Sequence, residues 1–183
     1  ATALLDRAID MPMNDEQMEA FQLALSVAQE TEDQDTEFKA RPFLATLGNI
    51  NEDHTSMLTH FSAAVGMHDR DPARFPGQGD GSYPDLFWLY KNALNLVISS
   101  VLFTREQMDN MLDQMDEHFT RAGIPRIAID IERRDDALMN GSLERALELQ
   151  ELIDASQHDD PFDDCPTCQI AGKAALAMAA DDY

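Results

Sequence analysis

Two cysteines, Cys165 and Cys168, stand three residues apart with Pro166 and Thr167 between them, and the 183-residue chain has no others. Proline suits the first position of a helix, which places Cys165 at a helix N-cap and Cys168 in the first turn. There the helix dipole and the unpaired amides favour a thiolate, so the spacing suits a redox dithiol. Such a dithiol usually follows a strand in a βαβ unit, and no strand pattern precedes this one. His158, Cys165 and Cys168 are also three possible zinc ligands, with Asp159, Asp163 or Asp164 as a fourth. A structural zinc site usually draws on two ligand pairs, however, and the sequence offers one. The first expectation is therefore two small residues packing a helix start, able to form a disulfide when oxidised, with no cofactor. Zinc at His158, Cys165 and Cys168 is the conditional alternative.

Other residues with chemical potential are more scattered. His54, His60 and His68 are separated by six and eight positions, which does not bring all three onto one helix face. They read as ordinary histidines. Met108, Met111 and Met115 recur at helical spacing and read as core before they read as an adaptable binding surface. Phe87, Trp88, Tyr90 and Lys91 are different, because consecutive aromatics on one helix cannot all point inward. At least one is expected to reach a groove or an interface, and Asn95 continues the polar stripe from Lys91. Arg41 is a cation beside Pro42 in a very acidic chain. It is expected either to meet a ligand carboxylate or to pair internally with one of the many acids. No Gly-rich phosphate loop, Gly-x-Ser-x-Gly elbow or His-Glu-x-x-His motif occurs. No catalytic residue is expected, and the chain reads as a binding protein.

Charge narrows the partners. Asp and Glu number 35 against 13 Lys and Arg, a net charge of −22 at pH 7. Nucleic acids and anionic membranes are bound through cationic neutralisation, so both are unfavourable partners. A protein or peptide partner steered by charge would be basic, although acidity also serves solubility. No apolar run reaches the ~20 residues that span a bilayer. The longest, 86–103, is interrupted by Lys91, Asn92, Asn95, Ser99 and Ser100. Residues 1–10 are charged and lack a long apolar centre, so no signal peptide is read there. The expected location is cytoplasmic.

The elements that must position these residues are helical throughout. Asn14, with Gln17 at the capping-box position, opens a helix over 14–32. A second spans 35–47, closed by Gly48. A third starts near 51 and carries Met57, Leu58, Phe61, Ala64 and Val65. Pro72, Pro76, Gly77, Gly79 and Gly81 make 69–83 a loop. Pro84 then opens a helix over 84–103 that is apolar on most sides. Thr104 and Gln107 form a capping box for 104–122, which Gly123 ends. Helices over 125–139, 142–156 and 166–180 complete a set of about eight. Alternate helices begin near 14, 51, 104 and 142, and two of those steps are close to the ~34-residue tetratricopeptide period. The longer step contains the loop. The fold expected is all-α, a right-handed stack of antiparallel helix pairs forming one domain over 1–183, with an insertion at about 69–83.

Within that frame, the stretch from Gly141 through Ser142, Leu143, Glu144, Arg145 and Ala146 to Leu147 resembles the turn and first helix of a tetratricopeptide repeat. Leu143 and Ala146 supply its Leu-x-x-Ala pattern. The D-x-x-R-F segment 71–75, the aromatic segment 86–91 and the D-C-x-x-C segment 164–168 occur in the order seen in a group of uncharacterised bacterial tetratricopeptide-repeat-like proteins. That resemblance covers residues 15–180. It implies a protein- or peptide-binding helical-repeat scaffold, with Arg41, Phe87, Trp88, Tyr90, Lys91 and Asn95 as the candidate partner-facing residues. Two further readings stand beside it: an acidic inhibitor or immunity-type protein that covers a basic partner, and a redox or zinc-binding factor built on the two cysteines.

Overall fold

The computed structural model describes residues 1–156, 162 and 164–181. Among the described residues all regular structure is helical: α1 (Thr2–Ile9), α2 (Asp15–Glu30), α3 (Gln34–Ile50), α4 (His54–Arg70), α5 (Leu86–Ser99), α6 (Arg105–Ala122), α7 (Ile127–Met139), α8 (Leu143–Asp154) and α9 (Pro166–Asp181). The chain is all-α, and none of these helices is long and apolar enough to cross a membrane. It divides into two compact units, Ala1–Ala93 and Leu94–Tyr183, and each is described by itself.

One corner geometry recurs between successive helices. Glu32, Glu52 and Gly141 each adopt a left-handed φ, of 56°, 58° and 73°. Each is followed by a cap residue (Asp33, Asp53 or Ser142) whose amide donates back to the carbonyl of Ala28, Gly48 or Ala137, at 2.8 Å in all three. The Asp33 and Asp53 carboxylates then accept the amides of Thr36 and Ser56, satisfying donors the new helix leaves open. The residue five before the cap is small in all three, Ala28, Gly48 and Ala137, and at Gly48 the next helix crosses closely. At Gly48 an added Cβ would lie 2.7 Å from the Met57 amide nitrogen. These corners fold α2, α3 and α4 back on one another, and α8 back on α7. Helix starts follow suit: α2 to α4 and α6 to α8 advance from 15 to 54 and from 105 to 143.

The sequence expectations meet this structure unevenly. The capping box of Thr104 and Gln107 forms, and Gly123 ends α6 in the left-handed region. Gly48 does not end a helix; α3 runs on to Ile50, and the glycine serves close packing instead. Asn14 caps α2, but the Gln17 side chain donates to the Ala8 and Met11 carbonyls and so ties down the end of α1, a helix the sequence reading lacked. α5 begins at Leu86, after Asp85 rather than at Pro84, because the Asp85 carboxylate takes the Phe87 amide at 2.8 Å.

In unit 1, Leu5, Phe21, Leu25, Leu44 and Leu47 form a core shared by α1, α2 and α3. Phe21 stacks on Phe43 at 4.6 Å. The connection after α4 is built into the same unit. Phe75 and Tyr83 pack on Phe38 at 5.1 and 5.5 Å, and the Tyr83 hydroxyl donates to the Pro76 carbonyl. Gly77 lies so close to the Phe87 ring that a Cβ there would come within 2.6 Å. Aromatic pairs add about 0.5–1.5 kcal/mol each beyond area burial, so this stretch is held as part of the core.

Unit 2 is built differently. α7 is buried along most of its length, yet it carries Asp130, Glu132, Arg134 and Asp136 among its buried residues. Ala137, Ala146, Leu149 and Leu176 join α7, α8 and α9. Met108 and Met115 are buried, in keeping with a core stripe on α6.

Candidate functional site

On α5, three of the four adjacent candidates face inward. Phe87, Tyr90 and Lys91 are 2%, 1% and 4% exposed, whereas Trp88 is 41% exposed. Tyr90 meets Phe61 edge-on at 4.8 Å, and the Lys91 ammonium stands 5.4 Å from the Trp88 ring centroid. A cation over an indole face is attracted by the ring quadrupole, which favours this pairing of the buried lysine with the exposed tryptophan. Asn95 is exposed. Arg41 pairs with Glu37 one turn earlier on α3, which is the internal pairing weighed for it.

The histidines do not converge. His54 is exposed at the start of α4, and His68 is buried with Nδ1 2.7 Å from the Phe75 carbonyl. His60 is half-buried and its Nδ1 has no hydrogen-bond partner. Burial, reinforced by Arg41 and opposed by Asp53, holds its pKa below the ordinary value.

A concavity lies within unit 2, where α6, α7 and α8 meet around about 320 Å³. Its charged lining is Arg105, Asp109 and Asp113 from α6, Arg133 and Asp136 from α7, and Arg145 from α8. The Arg105 guanidinium grips the Asp136 carboxylate through two nitrogens, at 2.8 and 2.6 Å, and also bonds Asp109. Asn140 adds a 2.8 Å bond to the same Asp136 carboxylate. These bonds hold Asp109 below the usual carboxylate range and raise Arg105. This fork is a fixed floor, since both partners are spoken for.

Arg133 and Arg145 are placed to do more. Arg133 bonds Asp113 and Asp116 through one nitrogen, Nη2, at 3.1 Å each, while its buried Nε has no hydrogen-bond partner. Arg145 sits more than half exposed across the α7–α8 corner, held by Glu148 alone among its ion pairs with described residues. An arginine has five N–H donors, so Arg145 and the partly exposed Nη end of Arg133 retain capacity for carbonyl or carboxylate oxygens of a bound chain. Sequence reasoning missed this pair. The scarcity of cations that singled out Arg41 applies equally to Arg133 and Arg145, which flank the Asn140-Gly141 turn.

Cys165 and Cys168 open α9, and both are exposed, with their sulfurs 3.3 Å apart. The Cys168 amide lies 3.4 Å from Cys165 Sγ. That amide, then the Cys168 thiol and the Thr167 amide, hold the Cys165 thiol below its ordinary pKa. No group of three His, Cys, Asp or Glu able to hold a metal ion occurs among the described residues. His158, Asp159 and Asp163, weighed as further ligands, lie outside the described residues.

Comparison of the chain with protein-family models, with curated proteins and with solved structures returned no match.

Proposed function

We propose that the chain is a helical-repeat scaffold that binds a segment of a partner protein, and that the α6–α8 cleft of unit 2 is where the segment lies. The observation that carries this reading is the pair Arg133 and Arg145. They bring unfilled donor capacity to a cleft of about 320 Å³ in a chain whose net charge is −22. Clefts between helices with a few convergent polar groups are ordinary ligand sites, and grooves of helical proteins also take peptide segments. The recurring corner at Glu32, Glu52 and Gly141 supports the tetratricopeptide-like part of the reading, because a repeated turn with a small residue at a fixed offset is what stacked helix pairs need.

Selection of peptides from a displayed random library on the wild-type chain tests it. Selected peptides should lose affinity by about tenfold or more, a change of about 1.4 kcal/mol, on an Arg133→Ala, Arg145→Ala double variant. They should be unaffected by Trp88→Ala. Equal binding to wild type and double variant would refute the placement.

The reading of an acidic cover for a basic partner draws on one feature. The outer face of α6 forms an open dish lined by Asp113, Asp116 and Glu117 with Thr120 and Arg121. Under that reading the selected peptides are rich in Lys and Arg, and added salt slows their association strongly.

A further inference from the structure

A second activity, independent of the cleft, is carried by the start of α9. We infer that Cys165 and Cys168 form a thiol–disulfide exchange site that reacts with low-molecular-weight disulfides of the glutathione class, with Cys165 attacking and Cys168 resolving.

Three observations carry it. The two sulfurs are exposed and 3.3 Å apart, so a bond of about 2.0 Å requires side-chain rotation with little backbone movement. They are not equivalent: Cys165 is the cap residue, and its sulfur receives the Cys168 amide at 3.4 Å. Amides aimed at the cap sulfur stabilise a thiolate there, which is the attacking species, and the lowered Cys165 pKa has that cause. Finally, the turn carrying them is anchored. The buried Arg134 of α7 reaches the Asp164 carboxylate at 4.0 Å, and the Gln169 side chain donates to the Asp164 carbonyl at 2.8 Å. Gly172 lies against the Arg134 guanidinium, where an added Cβ would come within 2.8 Å. A turn held in this way presents both sulfurs in one arrangement, so the second step is intramolecular.

The chemistry balances without a metal. The Cys165 thiolate attacks one sulfur of the disulfide RSSR; the Cys165–SR bond forms, and RS⁻ leaves and takes up a proton. Cys168 loses its proton and attacks Cys165 Sγ, expelling the second RS⁻. Two protein thiols are oxidised by two electrons, and RSSR is reduced to two RSH.

The test treats the reduced full chain with oxidised glutathione, reading thiol content and intact mass. Wild type should pass from two thiols to none with the loss of two hydrogens, and dithiothreitol should restore both. Cys168→Ser should accumulate a single glutathione adduct at Cys165. Cys165→Ser should be modified about tenfold more slowly, reflecting its smaller thiolate fraction. Far-ultraviolet circular dichroism checks that both variants fold. Equal rates for the two single variants, or a wild type that accumulates two glutathione adducts or disulfide-linked dimers, would overturn the inference. So would one equivalent of zinc on the purified chain that holds both thiols and keeps them unreactive.

Discussion

α3 and α7 occupy similar positions in their units, each followed by the same corner and packed on the next helix, yet they are buried by opposite means. α3 buries Phe38, Ala40, Leu44, Ala45 and Leu47, and it can approach α4 closely because Gly48 has no side chain. α7 buries Asp130, Glu132, Arg134 and Asp136 among its isoleucines. Burial holds the Asp130 carboxyl above its usual range, with Arg126 and Arg133 opposing. Burying charge is costly unless every group is paired, and apolar replacements of such pairs are often as stable or more so. Apolar packing makes α3 a spacer. The charges of α7 form the cleft floor through Asp136 and Arg105, and they reach the start of α9 through Arg134 and Asp164.

The largest effect expected from this contrast is at Arg134, which is 3% exposed and bonded to Asp135 and Gln150. Arg134→Ala removes the buried guanidinium that Asp135, Gln150 and Asp164 share and should cost about 3–5 kcal/mol, measured by urea unfolding. Leu44→Ala in unit 1 should cost about 3 kcal/mol through its cavity. The comparison breaks if Arg134→Ala proves nearly neutral, because α7 would then be a solvated helix.

Acid should act on unit 1 through His60. Its pKa is depressed in the folded chain by burial and then by Arg41, so below about pH 6.5 the unfolded chain takes up a proton that the folded chain resists. Stability is lost as the pH falls through that range. His60→Gln should remove this part of the acid loss, visible as a flatter unfolding midpoint as the pH falls below about 6.5. An unchanged slope would mean that His60 titrates normally.

The smallest effect concerns the shared corners. Glu32 and Glu52 hold a left-handed backbone that Gly141 holds without strain. Glu32→Gly or Glu52→Gly should each stabilise by about 0.5–1 kcal/mol, and Gly141→Glu should destabilise by a similar amount. Three changes of matching size and the expected sign would show that the corners are energetically alike.

The sequence carried the local signals well. Asn14, Thr104 with Gln107, and Gly123 marked helix ends because capping is settled by a few adjacent residues. It did not carry what depends on a neighbour. Gly48 reads as a terminator until α4 is seen crossing it, and Gln17 reads as half of a capping box until the end of α1 is there to receive its amide. Glu32 and Glu52 hid two of the three corners, since glutamate gives no sign of a left-handed turn. On α5 one aromatic, Trp88, does face outward, but nothing in the local sequence distinguishes it from Phe87 and Tyr90. The cleft was the least legible feature, because it gathers residues from 105 to 149 that only packing brings together.

The contrast between an apolar spacer and a charged cleft comes to its sharpest point in amide hydrogen exchange, measured with and without a peptide selected on the chain. On this account added protection falls on α6, α7 and α8, while α2, α3 and α4 exchange as before. Protection centred on α2 to α4 or around Trp88, with the cleft unchanged, would contradict it.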